Sequence, residues 1–499
     1  MLKVIKTIKL LPARIITTVK TGAILYLLIL ILAAIFVGVI AVTGEFTLTL
    51  ALILVVLLGL SLALVLIKGV QIKDLTIKKV ILYLTIIAGF IGPAFLQIDI
   101  GPFSIFPFRV LLPILWLALL LGILINKGKL NISNIKVRHY LWFLALWLVY
   151  AVLSLAWAAD KEGAIREIAF LFMGMSVIFF MVFYLRNLTD LKRVYNLWFV
   201  ILLALVCIGL WEHTTGSHLS VSSIIDIPAR FKYNPTGVFH NQNDYATYLA
   251  LSFPFVLAFI RHNSQLLKRL FGVAILIIVL YLVVVTFSRA NYLAVILGLA
   301  FWFLFLLKAG SKLKVLVAAG VAALLLFLIF PSQLQDALGT IGEQLRSLTT
   351  PTGLESGGVG IRIGLIKNSL VFLVDSAGFG VGAGNVEYYM AAVPVYETGA
   401  ILNVHNWWAQ ILANYGVFIF VGYILFYLGL LWRLYRLYAK LTDNSEKIMG
   451  EALLVGLVVF FFASMSSSSI IALGAQWIFF GFALGFLNYC RINKVGDRV

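Results

Sequence analysis

Apolar runs of about 20 residues alternate with short polar segments along almost the whole chain. A helix needs about 20 mainly apolar residues to cross a bilayer. The pattern predicts an all-α fold class, a polytopic helical membrane protein with about fourteen transmembrane helices. The fourteen runs are centred near residues 33, 57, 88, 115, 149, 176, 204, 252, 279, 299, 321, 418, 458 and 480. One long polar segment, residues 331–404, interrupts the series, and we expect it to be a loop that contains short helices.

The composition agrees with many spans rather than several soluble domains. Of the 499 residues, 63% are hydrophobic and 12% are charged, whereas a soluble domain carries about 25% charged residues. Cys207 and Cys490 lie in or beside apolar runs, so they match no metal spacing and indicate no disulfide framework. The first apolar run, from Ala23, is too long for a cleavable signal peptide and lacks a small-residue cleavage site.

Basic residues set the predicted orientation, because cytoplasmic loops of membrane proteins carry an excess of Lys and Arg. With the N-terminus inside and strict alternation, 29 of the 38 Lys and Arg residues fall on inside segments. Both termini are then cytoplasmic, and residues 331–404 are extracytoplasmic. This distribution explains the net charge of +18, so we predict no nucleic-acid partner. The Lys-rich residues 1–22 form either an interfacial helix or a basic flank of the first span.

Nine basic residues are not explained by orientation: Arg109, Lys161, Arg166, Arg230, Lys232, Arg289, Arg346, Arg362 and Lys367. Lys161 and Arg166 lie among acidic residues, and we expect an ion-paired turn there. Arg346 lies on the polar side of an amphipathic stretch. Arg289 separates two apolar runs that have almost no loop between them. Inserting an arginine into a membrane costs about 2.5–3.5 kcal/mol, so such a residue usually has a binding partner or a function. The alternative to a functional Arg289 is a side chain that snorkels to the lipid headgroups.

Arginine at the outer membrane surface suits a ligand that contains a diphosphate. Its planar guanidinium binds phosphate oxygens bidentately and stays charged. Two or more arginines can stabilise a departing diphosphate, a role that a divalent metal fills in many enzymes, and Arg289 and Arg362 are candidates for such a site. No Asp-x-Asp or other clustered acidic metal motif occurs in the chain, which favours a site without a metal or a cofactor. Arg109, Arg230 and Lys232 are further candidates for substrate binding.

His405 lies where the long polar segment returns to the membrane, directly before Asn406, Trp407 and Trp408. A neutral imidazole accepts a proton from a sugar hydroxyl, and an indole ring suits stacking on a sugar face. We therefore predict a catalytic His405, with Asn406 and Trp407 as substrate-binding residues. The alternative is an interfacial histidine beside an aromatic belt.

The stretch AGFGVGAGN has glycine at every second position from Gly378 to Gly384. Its spacing is not that of a nucleotide-binding loop, so we predict a tight backbone bend that passes close to a helix or a ligand. The serines at residues 466–469 are predicted to form an outer turn.

The stretch FHNQNDYA precedes an apolar run and is typical of a turn that caps a helix. Asn243 or Asp244 is expected near the N-cap. The alternative is that His240, Asn241 and Asn243 contact a sugar, and we include all three among the candidate substrate-binding residues.

Four stretches together resemble the O-antigen ligase and polymerase superfamily of bacterial membrane glycosyltransferases. They are FHNQNDYATYLAL, FSRANYLA, GIRIGLIKNSL followed by GFGVGAGN, and VHNWWAQILANYGVFIFVGYILF. Their order, with a long outer segment between the last arginine and the histidine, carries the resemblance. The usual Asn-Pro-Asn turn reads His-Asn-Gln-Asn here, which leaves the role of residues 240–243 open. The chain also has two more predicted spans than the commonest ligase layout.

The resemblance implies a GT-C-like fold in the bacterial cytoplasmic membrane and transfer of glycan from undecaprenyl diphosphate to an acceptor, with inversion and without metal. Arg289 and Arg362 would hold the diphosphate, and His405 would act as the base or orient the acceptor. The implied domains are a basic N-terminal segment (1–22), N-terminal transmembrane helices (23–212), a ligase-like catalytic region (213–490) that includes the loop 331–404, and a cytoplasmic tail (491–499).

The predicted function is polymerisation of a surface polysaccharide of the teichuronic-acid or capsule type. Its partners are a lipid-linked glycan donor, a glycan or lipid-linked acceptor and the bilayer. One alternative is a ligase that moves finished glycan onto lipid A core or another acceptor. A second is a lipid-linked oligosaccharide flippase. Transporters often contain internal repeats and charged residues near the midplane of the membrane, whereas this chain shows no convincing repeat and has its ionisable residues at the outer edge.

Overall fold

The computed structural model describes residues 76–100, 103–125, 134–226, 231–329, 335, 339, 342, 358–468 and 470–495. Contacts divide the chain into two units, Met1–Val80 and Ile81–Val499, and the account below concerns the second. The N-terminal segment, the spans centred near residues 33 and 57, the amphipathic stretch with Arg346, and Arg230 lie outside the described residues.

Helices dominate the described chain, and their bounds are α1 Ile77–Ile91, α2 Pro107–Ile125, α3 Arg138–Leu153, α4 Lys161–Tyr184, α5 Leu188–Thr215, α6 Gln242–His262, α7 Leu266–Val285, α8 Arg289–Phe301, α9 Ala309–Ile329, α10 Gly358–Asp375, α11 Val386–Ala392, α12 Trp407–Tyr438, α13 Asn444–Ala463 and α14 Gly474–Ile492. Single 3₁₀ turns cover Ser154–Ala156, Ser223–Asp226 and Ile470–Ala472, and a π-helical turn at Trp302–Leu306 extends α8. The strands β1, Ile98–Ile100, and β2, Phe103–Ile105, form a small antiparallel hairpin.

The prediction of an all-α, polytopic membrane protein is confirmed. Seven helices of the described chain are long and apolar enough to cross a membrane: α2, α3, α4, α5, α7, α8 with its π-helical turn, and α12. Each contains one of the predicted span centres. Five further centres fall in α1, α6, α9, α13 and α14.

Helix α6 forms the centre of the bundle, and its residues 244–258 are all buried. It packs against α7 and α13, and α8 packs against α13. A second contact joins α4 to α14. Here Gly174 lies against the indole of Trp477, and a Cβ at this glycine would come within 2.2 Å of the ring. A small residue is needed for this close approach because any side chain would push the two helices apart.

The loops that alternation assigns to the two sides of the membrane lie at opposite ends of the bundle. At one end of α6, the Nδ2 of Asn241 donates to the Oγ of Ser468 over 3.1 Å. At the other end, Arg261 donates to the buried carboxylate of Glu451 over 2.7 Å, and the Tyr438 hydroxyl donates to the same oxygen over 2.6 Å. The predicted alternation and the observed packing therefore agree for these helices.

The glycine stretch passes against a break in α12, as its pattern predicts. Gly416 has φ 74° and ψ −179° and interrupts the helix, which leaves carbonyl groups without partners inside the helix itself. The N–H groups of Val381 and Gly382 donate to the carbonyls of Ala413 and Asn414 over 2.9 and 3.0 Å. A buried carbonyl without a hydrogen bond is costly in a membrane protein, so this loop stabilises the break.

Candidate functional site

Three helix N-termini meet at one end of the bundle around the turn after α13, residues 464–468, which we call the serine turn. Asn241 before α6 donates to Ser468, as described above. Ser288 before α8 shares a hydrogen bond of 2.8 Å with the hydroxyl of Ser466. The first N–H of α12, at residue 407, donates to the carbonyl of Ser464 over 3.0 Å. Since a helix N-terminus carries about half a positive charge, three together favour an anionic ligand.

Asparagine side chains cap two of these helices. The Oδ1 of Asn241 accepts from the N–H groups of Asn243 and Asp244 over 2.9 and 3.0 Å, which places the N-cap of α6 at residue 241 rather than at 243 or 244. The Oδ1 of Asn406 accepts from the N–H groups of Trp408 and Ala409 over 3.1 and 3.2 Å. The Oδ1 atoms of both asparagines are therefore used to start helices.

The serine turn also binds the first turn of α6. The Ser467 hydroxyl donates to Oδ1 of the buried Asp244. The Nδ2 of Asn241 donates to Oδ2 of the same aspartate over 2.9 Å. The Ser466 hydroxyl donates to Oδ1 of Asn243 over 3.1 Å. Sequence reasoning identified this segment only as a turn. The sequence feature that could have indicated these contacts is the run of serines in an apolar region. It does not identify the partner residues, because these lie on helices that are distant in sequence.

Arg289 and Arg362 are brought close together from different parts of the chain. Arg289 is the first residue of α8, and Arg362 lies in the second turn of α10. Burial lowers the pKa of Arg362, and the positive charge of Arg289 lowers it further. Among the described residues, no carboxylate lies within ion-pair distance of Arg362. Two half-buried cations that repel each other are stabilised by an anionic ligand between them.

His405 lies beside this pair. Its Nδ1 is 3.3 Å from the carbonyl oxygen of Ser466. Because a carbonyl can only accept, we assign the proton to Nδ1, which leaves Nε2 as the basic atom. Burial lowers the pKa of His405 below its ordinary value, and the charge of Arg362 lowers it further, while the Ser466 carbonyl opposes both. The ring is therefore neutral near pH 7, with a lone pair on Nε2.

Two predicted substrate contacts are not supported by the structure. Trp407 is 2% exposed, and its Nε1 donates to the Tyr423 hydroxyl over 2.9 Å. Its ring is packed in the helix bundle, and its stacking on a sugar stays a prediction. Arg109 donates to the carbonyl and the hydroxyl of Ser104 over 2.6 and 3.1 Å and covers the ring of Phe106. Its guanidinium, on α2, is hydrogen-bonded to strand β2 of the adjacent hairpin.

Lys232 and His240 lie on the loop between α5 and α6, and both are exposed. The carbonyl of Lys232 accepts from Nε2 of His218 over 2.7 Å. The Nδ1 of His240 lies 3.1 Å from the carbonyl of Val221. Both side chains remain accessible at the end of the bundle that carries the site, so their contact with substrate stays a prediction.

Comparison with known proteins identifies the family of this chain. The family described as O-antigen ligase matches residues 273–427, which include Arg289, Arg362 and His405. The teichuronic acid biosynthesis protein TuaE of Bacillus subtilis (strain 168) is 33% identical over 417 residues, which cover 83% of this chain and 85% of the relative. These similarities support a membrane enzyme of glycosyltransferase type, a polysaccharide polymerase or ligase. The chain therefore belongs to the O-antigen ligase and polymerase family.

Proposed function

We propose that this protein polymerises an undecaprenyl-diphosphate-linked glycan at the extracytoplasmic face of the bacterial cytoplasmic membrane. The juxtaposition of Arg289, Arg362 and His405 at the meeting point of three helix N-termini carries the proposal. It combines a cationic place for a diphosphate with a neutral base beside it. The cytoplasmic location of both termini, and hence the outward direction of the site, is supported by the basic loops, which fall at the opposite end of the bundle.

The proposed reaction is a single displacement. An acceptor hydroxyl oxygen attacks the anomeric carbon from the side opposite the diphosphate, so the configuration is inverted. The bond between that carbon and the diphosphate oxygen breaks, and its electron pair stays on the diphosphate. The hydroxyl proton moves to Nε2 of His405. Arg289 and Arg362 bind the diphosphate as its negative charge increases, which is how a fixed cation lowers a barrier of this kind.

Arginine is sufficient for this role without a metal ion. Two guanidinium forks bind several phosphate oxygens at once, and each retains its charge when half-buried. The three helix N-termini add further partial positive charge. The name of the relative TuaE supports a polymer of the teichuronic-acid type as the product. The family described as O-antigen ligase makes transfer to a separate acceptor the alternative outcome of the test below.

The test is a reconstitution in detergent with EDTA, using undecaprenyl-diphosphate-linked repeat unit and separation of the products on a gel. We expect a ladder of lengths from the wild-type protein and only a small residual amount of product from His405→Ala. A single new band that requires an added acceptor would identify a ligase. The proposal is wrong if folded protein makes no product but moves lipid-linked glycan across a vesicle bilayer.

The pH dependence of the rate should report His405. The neutral ring is the active form, so the rate falls as the pH drops through its pKa and is level above it. Because burial and Arg362 lower this pKa, the midpoint of the acid limb should lie below the ordinary value of about 6.5. Arg362→Gln removes the neighbouring charge and should move the midpoint to higher pH, as measured by kcat/KM against pH, which reports the enzyme without substrate.

The matched control is Arg166→Gln. Arg166 is exposed and pairs with Glu162 over 3.3 Å on the surface of α4, so its loss should leave the midpoint unchanged. An acid limb that stays in place in Arg362→Gln would show that the limb does not belong to His405.

A further inference from the structure

We propose that Asn403, held by Glu387, is a positioning residue that fixes the backbone and ring of His405 for proton transfer. The proposal rests on the proposed function, since it assigns a role relative to the base. Asn403 lies two residues before His405, just outside the α12 cap, and sequence reasoning did not select it.

The carboxamide of Asn403 uses both of its polar atoms. Its Oδ1 accepts from the backbone N–H of His405 over 2.9 Å. Its Nδ2 donates to the carbonyl of Ser468 over 2.6 Å and to Oε1 of Glu387 over 2.8 Å. The side chain therefore links three segments that are distant in sequence: α11, the serine turn and the start of α12.

The backbone of His405 needs such support. Its φ of 52° is in the left-handed region, which is strained for a residue with a Cβ and persists where surrounding contacts determine it. The hydrogen bond from its N–H to the Asn403 side chain closes a local turn. Val404 between them is 2% exposed and therefore anchored. This conformation directs Nδ1 to the carbonyl of Ser466, the contact that leaves Nε2 as the base.

Glu387 determines which way the carboxamide faces. Its exposed carboxylate and the Ser468 carbonyl are both acceptors, so the NH₂ group must point to them and the oxygen must point to His405. With the amide flipped, the NH₂ group would face the N–H of His405 and no hydrogen bond would form. The acceptors on one side thus keep the oxygen available on the other.

Exchanging donor and acceptor in the hydrogen bond between Asn403 and Glu387 tests this role. Asn403→Asp keeps an acceptor for His405 but loses both donors and places two carboxylates together, so kcat should fall about 30-fold. KM for the lipid-linked donor should change less than about twofold, because the arginines are untouched. In the double variant with Glu387→Gln, the new amide donates to the Asp carboxylate, and kcat should recover about tenfold.

Asn187→Asp is the matched control. Asn187 caps α5 at the opposite end of the bundle through Oδ1 alone, over 2.8 Å to the N–H of Asp190, and aspartate caps a helix equally well. Its kcat should equal that of the wild type. If Asn403→Asp gives little folded protein, Glu387→Ala tests the same role. It alters an exposed residue, and kcat should fall about fivefold without a change in melting temperature.

The coupling to His405 separates this proposal from the proposed function. If Asn403 acts through His405, adding Asn403→Asp to His405→Ala should lower the residual rate no further. Additive losses, or a wild-type kcat in Asn403→Asp, would overturn the positioning role while leaving the base intact. A wild-type kcat in His405→Ala would instead overturn the proposed base itself.

Discussion

Replacing Arg289 and Arg362 together by lysine should lower the rate of glycan transfer by about 10⁴-fold, and each single change by about 10²-fold. Lysine retains the positive charge but offers a single ammonium in place of the planar fork. The loss therefore measures bidentate binding of the diphosphate in the transition state rather than simple attraction. The measurement is initial rate with lipid-linked repeat unit in detergent, at saturating and at low donor concentration.

Arg166→Lys is the control for the double replacement. It makes the same chemical change at the same end of the bundle on an exposed residue, where an ion pair contributes little, so the rate should be unchanged. If the double lysine variant retains wild-type product formation, Arg289 and Arg362 do not hold the diphosphate. A higher KM with an unchanged kcat would show that the two arginines bind the substrate but do not act in the chemical step.

Gly380→Ala should destabilise the protein by about 4 kcal/mol, a large share of the stability of a typical folded domain. Gly380 has φ 81°, which strains any residue with a Cβ. A Cβ there would also lie 2.5 Å from the backbone nitrogen of Gly416 and 2.7 Å from the carbonyl oxygen of Asn414. Both are backbone atoms at the break in α12, so no side-chain rotation can relieve the clash. Thermal unfolding in detergent is the measurement.

Gly378→Ala provides a control within the same loop. Gly378 has a similar φ of 83°, but the nearest atom to an added Cβ is a methyl of Val417 at 3.8 Å. Only backbone strain applies there, at about 1–2 kcal/mol. If the two variants melt at the same temperature, close packing against α12 contributes nothing and strain alone explains the glycines.

Much of the architecture could be predicted because each part of it depends on local composition. A span needs only a sufficient run of apolar residues, and orientation needs only the count of basic residues on each loop. Twelve of the described helices contain a predicted centre, whereas α10 and α11 lie in the long polar segment. Arg289 was also selected from the sequence, because a charge beside an apolar run is costly and therefore conspicuous, and the family resemblance added Arg362.

The contacts that sequence reasoning did not anticipate have no local signal of this kind. Trp407 looks like a sugar platform beside His405, but its ring faces the bundle and bonds to Tyr423. Asn403 looks like any loop asparagine. Which face of a helix is buried depends on the helices that pack against it, and the pattern around the start of α12 is apolar on several faces.

The sequence by itself determined most of the helices and the chemical types available in the segments between them. Only the tertiary structure decided which of those groups meet. Asn241 and Ser468 are 227 positions apart and share a hydrogen bond, and Ser466 reaches back 178 positions to Ser288. Such contacts depend on the packing of α6, α8, α12 and α13 as a whole, because hydrogen bonds act over about 3 Å while the apolar pattern fixes helix positions only to a turn or so.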